Sequence, residues 1–171
     1  FDSGTWTDDA GDTSPAKLSA SAPWSIQPAG GKTGPAVYAT GTYTNNLCAA
    51  LTSPTLSVQT GAALSFAAKY SIETSWDAGI VEVAEGPAFS TWTRLATVNY
   101  PDALGNTGNA CGFPKTFTGT VFSKTNAVPA YSASNYTGSL EAYAGSDIKL
   151  RWRIGTDATG TGAGWWVGDI S

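Results

Sequence analysis

The sequence predicts an all-β domain, a two-sheet antiparallel β-sandwich of the jelly-roll type, and three observations lead there. Apolar side chains recur at every second position: Ile148, Leu150, Trp152 and Ile154 interleave with Asp147, Lys149, Arg151 and Arg153. Leu64, Phe66, Ala68, Tyr70 and Ile72 do the same against Ser65, Lys69, Ser71 and Glu73. Successive side chains on a strand point to opposite faces, so this spacing buries one face and solvates the other. Turn-forming Gly and Pro then break the chain at 28–31, 53–54, 86–87 and 160–162, which leaves no room for a helix longer than a turn or two. Finally, only 13% of residues are charged while small and hydroxylated residues dominate, a balance suited to strands and turns.

Taken in order, the strand candidates are 24–26, 36–43, 55–59, 64–72, 79–84, 91–95, 116–122, 147–154 and 164–170. Trp24 and Ile26 flank Ser25, Ile80, Val81 and Val83 supply β-branched residues, and Trp165 and Trp166 open the last run between glycines. About nine strands at this spacing imply two packed sheets. The segment 100–116, with Pro101, Gly105, Asn106, Gly108 and Asn109, reads as a long loop. A chain of 171 residues without a Pro- or Ser-rich linker reads as one domain spanning 1–171, large enough to bury its own core. Its ends, Phe1-Asp2 and Ile170-Ser171, read as those of a module excised from a larger secreted protein.

Charge and composition narrow the partners. With a net charge of -4 and nine scattered Lys and Arg, no basic field is available for phosphate backbones, so nucleic acid is excluded as a partner. No apolar stretch approaches the ~18 residues of a membrane span. The low-charge, Thr/Ser/Gly-rich sequence reads as secreted or extracellular, where Cys48 and Cys111 pair as a disulfide; the alternative is two free thiols. With no histidine in the chain and no C-x-x-C spacing, zinc is not expected. The missing histidine also removes the usual general base for a Ser or Cys nucleophile, so the chain reads as no enzyme.

Three segments carry a family resemblance: Leu51-Thr-Ser-Pro54; Trp76-Asp-Ala-Gly-Ile-Val-Glu-Val83 followed by Trp92; and Leu150-Arg-Trp-Arg-Ile154 running to Gly164-Trp-Trp-Val-Gly-Asp-Ile170. Together they resemble the MAM-like jelly-roll modules of secreted bacterial peptidases of the immune inhibitor A type. In that pattern Ala78 replaces the first glycine of a W-D-G-G turn, and Gly168 replaces the first acid of a closing D-D-I, leaving Asp169. The resemblance implies a non-catalytic accessory module that holds a parent hydrolase, expected to be a peptidase, near a polysaccharide or protein polymer. A purely structural spacer, braced by calcium and a disulfide against the other domains of the parent chain, is the second expectation.

Two sets of site residues follow. Calcium takes six to eight oxygen ligands, and related sandwiches supply them where the first and last strands meet, so Asp2 and Asp169 are the expected pair. Asp77 is expected to cap its own turn and Glu82 to face solvent or pair with a cation such as Arg94. Sugar rings stack on flat aromatic faces, which makes the seven tryptophans worth weighing as a platform; core packing is expected to absorb most of them. Trp165 and Trp166 are the expected ligand-binding residues, and strand geometry requires one of the two to point inward.

Overall fold

A computed structural model describes residues 6–10, 18–106, 108–114 and 121–171. Among the described residues there are eleven strands in two antiparallel sheets and one turn of 3-10 helix, Glu141–Tyr143. The first sheet holds β1 (Ser19–Ala20), β4 (Cys48–Thr52), β10 (Asp147–Gly155), β7 (Ala78–Glu85) and β8 (Thr93–Arg94) in that spatial order, with β5 (Leu56–Ser57) also paired to β10. The second runs β2 (Ser25–Gln27), β3 (Val37–Ala39), β11 (Gly164–Gly168), β6 (Ala63–Ser71) and β9 (Tyr136–Ser139).

The alternation puts the expected faces inward. Ile148, Leu150, Trp152 and Ile154 of β10 are all buried, as are Leu64, Phe66, Ala68 and Tyr70 of β6. Between the sheets, Phe122 lies against Phe66, Tyr70, Tyr100, Tyr136 and Trp165, with ring centroids 4.8–6.1 Å apart. Edge-to-face geometry dominates these pairs, as the ring quadrupole favours. Each such ring removed from water contributes roughly 2–3 kcal/mol.

Strand β7 differs from the one-sided pattern, being buried from Ala78 through Ala84. It pairs with β10 on one side and β8 on the other, and its outward-facing Glu82 is covered by ion pairs from Arg151 and Arg153 instead of reaching solvent. Trp92 stacks on Arg151 at 4.1 Å and closes this face. The predicted runs 36–43 and 91–95 contract to three and two residues. Strands β4 and β9 were not expected. Their sequences, Cys-Ala-Ala-Leu-Thr and Tyr-Thr-Gly-Ser, lack bulky alternating residues, and pairing to β10 and β6 makes them strands. Of the predicted strand 116–122, residues 116–120 lie outside the described residues, while Val121 and Phe122 bridge Asp102 and Gly79.

Cys48 and Cys111 form a disulfide with Cα atoms 5.0 Å apart, pinning the predicted long loop to the end of β4. Thr156 adds to this brace: its hydroxyl donates to Thr44 O and accepts from Leu47 N, while its carbonyl accepts from Ala110 N.

Candidate functional site

The tandem tryptophans separate as strand geometry demands. Trp165 has no exposed surface and packs on Trp24, with centroids 5.5 Å apart. Its ring also rests on Gly79 of the opposite sheet, where an added Cβ would stand 2.5 Å from the indole. Any side chain at position 79 would push the ring out, so this glycine of the Trp76-Asp-Ala-Gly segment is required by packing. Trp165 is therefore a core residue and no ligand platform, which corrects the expectation for that residue. Core packing also takes Trp24 and Trp152, and Trp6 is partly buried against the same cluster; Trp76 is 44% exposed, and Trp92 and Trp166 keep part of their surface.

Trp166 stands on the outer face of the second sheet. Its indole N–H donates to Gln27 Oε1 at 3.1 Å, which orients the ring. The Lys69 ammonium sits between two aromatic rings, 5.3 Å from the Trp166 centroid and 4.9 Å from that of Tyr131. Cation–π attraction aligns all three side chains into one row. Tyr131 is anchored by its hydroxyl, which donates to Gly30 O at 2.7 Å. Burial, and then the nearby Asp169 charge, push that hydroxyl up to about 12. Beyond Tyr131 opens a cleft of about 360 Å³ lined by Tyr70, Asp102, Lys124, Asn126 and Tyr136. The face thus combines flat rings with amide, ammonium and carboxylate groups.

Of the expected calcium pair, Asp2 lies outside the described residues. Asp169 has φ 47°, a left-handed conformation that Asp tolerates better than most residues. Its Oδ1 accepts from the Thr33 hydroxyl at 2.7 Å, and its Oδ2 is buried without a partner. At the same end of the sandwich, Asp8 bridges Ile170 and is buried. One of its oxygens accepts from Ala10 N and the other from the Tyr38 hydroxyl, at 2.8 and 2.9 Å.

The opposite end gathers acids that the sequence leaves far apart. Glu73 follows β6, Asp77 precedes β7 and Asp157 follows β10, and one carboxylate oxygen from each lies within 4.8 Å of the others. Asp77 is fully buried. Its Oδ1 accepts from the backbone N–H of Asp157 at 2.8 Å, so it ties two loops together and does not cap its own turn as expected. Its Oδ2 and Glu73 Oε2 are buried with no hydrogen-bond partner. Among the described residues no Lys or Arg forms an ion pair with Glu73, Asp77 or Asp157; the arginine pairs of β10 go to Glu82. Burial first, and for Glu73 the neighbouring Asp77 and Asp157 charges next, push the Glu73 and Asp77 carboxyls above their ordinary values, although the Asp157 N–H and the Tyr43 hydroxyl facing Asp77 favour its charged form. Gly160 closes the arrangement from the β10–β11 loop, where any Cβ would collide with the Glu73 carboxylate. Nothing along the sequence links Glu73 to Asp157, 84 residues away; their positions just beyond long alternating strands are the available signal.

The trio is a poor acid/base pair for glycoside cleavage. Its oxygens lie closer together than the about 5–5.5 Å of retaining glycosidases, and the buried Asp77 leaves no room for a sugar between them. A separate cleft of about 540 Å³ is bordered by Trp6, Leu56, Leu64, Leu140 and Trp152, with no ionisable side chain among the described residues of its lining. No helix among the described residues is long and apolar enough to cross a membrane.

No protein-family model matches the sequence, and no curated protein is significantly similar to it. Solved structures do match in fold. The K3 cleaved adhesin domain of Lys-gingipain from Porphyromonas gingivalis superposes with a TM-score of 0.52 at 16% identity, covering 96% of this chain and 95% of that one. The K2 cleaved adhesin domain of Lys-gingipain gives a TM-score of 0.53 at 14% identity with the same coverage. The chain therefore shares its β-sandwich fold over nearly its full length with adhesin domains.

Proposed function

We propose that this domain is a non-catalytic accessory module of a secreted hydrolase of the peptidase class, attaching the parent chain to a polymeric substrate, glycan or protein. The observation that carries this reading is the outer face of the second sheet, where Trp166, Lys69 and Tyr131 form an aligned row with ring surface left to solvent. Stacking on such a row supplies affinity, and the amide and charged groups beside it select hydroxyls or peptide groups. The fold shared with adhesin domains of Lys-gingipain supports the accessory role, as does a chain without histidine. The resemblance to MAM-like modules points the same way.

Retention on insoluble polysaccharides and on fibrous proteins tests the reading. The wild-type domain is expected to bind at least one of these polymers, and Trp166→Ala to weaken retention at least tenfold while shifting the melting temperature by less than about 2 °C. Trp165→Ala serves as the contrast, costing about 3–5 kcal/mol of stability because it empties a core site. Retention unchanged by Trp166→Ala would remove this face as the binding surface.

The second reading, a rigid spacer without a ligand of its own, is favoured by the disulfide and the Thr156 bonds that stiffen one end of the sandwich. It predicts no polymer retention, together with a lower melting temperature of the parent chain once the domain is deleted.

A further inference from the structure

We propose that Glu73, Asp77 and Asp157 bind one calcium ion, which ties the β6–β7 turn to the β10–β11 loop at the end of the sandwich remote from Asp169. This inference is independent of the polymer-binding face.

The geometry argues for a hard cation. Calcium–oxygen distances of about 2.3–2.6 Å place oxygens on opposite sides of one ion about 5 Å apart, and the three carboxylate oxygens fall within that span at 4.8 Å or less. A buried carboxylate oxygen without a donor carries the full cost of desolvation, and here two such oxygens, Asp77 Oδ2 and Glu73 Oε2, belong to the same cluster. Asp77 has no exposed surface, so water cannot take the donor's place freely. Hydrogen bonds hold the other acceptors: Asp157 Oδ1 receives Thr159 N, and Asp77 Oδ1 receives Asp157 N. These bonds orient the two carboxylates while leaving an oxygen of each for another partner. Glycine at 160 keeps the space in which the Glu73 carboxylate lies. Three acids brought together without a lysine or arginine repel one another, and a divalent ion removes both that repulsion and the orphaned acceptors. Second carboxylate oxygens and water would complete the shell. The low count of three protein carboxylates and the oxygen-only donor set suit calcium better than a transition metal.

The test is thermal unfolding of the whole domain in EDTA and in calcium, with terbium as a luminescent substitute excited through tryptophan, Trp76 being the neighbour of Asp77. An ion that binds only the folded state stabilises it by mass action, so calcium at about 100 times its Kd is expected to raise the melting temperature by on the order of 5–10 °C. Asp77→Asn, Asp157→Asn and Glu73→Gln are each expected to lose most of that shift and the terbium emission, while Asp169→Asn keeps both. If Asp77→Asn does not fold, the other two variants carry the test. Equal melting temperatures in EDTA and calcium with no terbium emission would overturn the proposal. So would a calcium shift that survives in all folded cluster variants, or one that disappears only in Asp169→Asn.

Discussion

Two buried aspartates at opposite ends of β6 and β11 meet contrasting fates. Asp8, beside the closing Ile170, has both oxygens occupied, one by Ala10 N and one by the Tyr38 hydroxyl. Asp77, beyond the start of β11, has one oxygen occupied and one orphaned, with two more carboxylates at its side. At the first end Asp8 is fully satisfied, while Asp169 keeps one hydrogen bond, from the Thr33 hydroxyl, and one bare oxygen. The second is assembled from loops, braced by a disulfide and Thr156, and leaves one oxygen each of Asp77 and Glu73 without a hydrogen bond. Unmet hydrogen-bonding capacity is common to Asp77 and Asp169; what sets the second end apart is that three carboxylates converge there.

The contrast can be broken most forcefully at the braced end. Replacing Cys48 and Cys111 together with Ala removes a cross-link between residues 63 positions apart. The expected cost is about 2–5 kcal/mol, read as a lower denaturation midpoint in urea. Calcium stabilisation should weaken as well, because the loop that carries Asp157 starts at the strand end where Cys48 pairs with Gly155. An unchanged midpoint would show that the loops hold themselves.

At the closed end, Tyr38→Phe leaves Asp8 Oδ2 buried without its donor. A loss of about 1–3 kcal/mol is expected in the same urea titration, indifferent to calcium. A calcium-dependent response in this variant would erase the distinction between the two ends.

The smallest expected effect has the opposite sign. In EDTA at neutral pH, Asp77→Asn should raise the urea midpoint instead of lowering it. The carboxyl of Asp77 is pushed up in the fold, which means that the fold disfavours its charge, and the amide removes that charge while its oxygen can still accept from Asp157 N. A loss of stability in EDTA would mean that Asp77 serves the fold as Asp8 does.

The exposed face follows a parallel logic. Trp165 and Trp166 are adjacent and chemically identical, yet one fills the core against Gly79 and the other lies in a row with Lys69 and Tyr131. That one of the pair turns inward is legible from strand periodicity. Which one does so depends on register: Trp166 pairs with Lys69, whose side of β6 is the polar side, while Trp165 pairs with Tyr70. The alternation puts Lys69 on the face opposite Phe66, Ala68 and Tyr70, and the pairing of β6 with β11 carries that assignment over to Trp166.

By itself the sequence determined the sandwich, the faces of β6 and β10 and the absence of histidine chemistry, because period-two burial and residue type are local properties of the chain. Tertiary structure alone decided that β4 and β9 are strands, that Glu82 is buried beneath two arginines, and that Glu73, Asp77 and Asp157 share one site. Each of these depends on which segments become neighbours. Pairing supplies hydrogen bonds to weak strands, and convergence of loops brings together charges that no spacing along the chain connects.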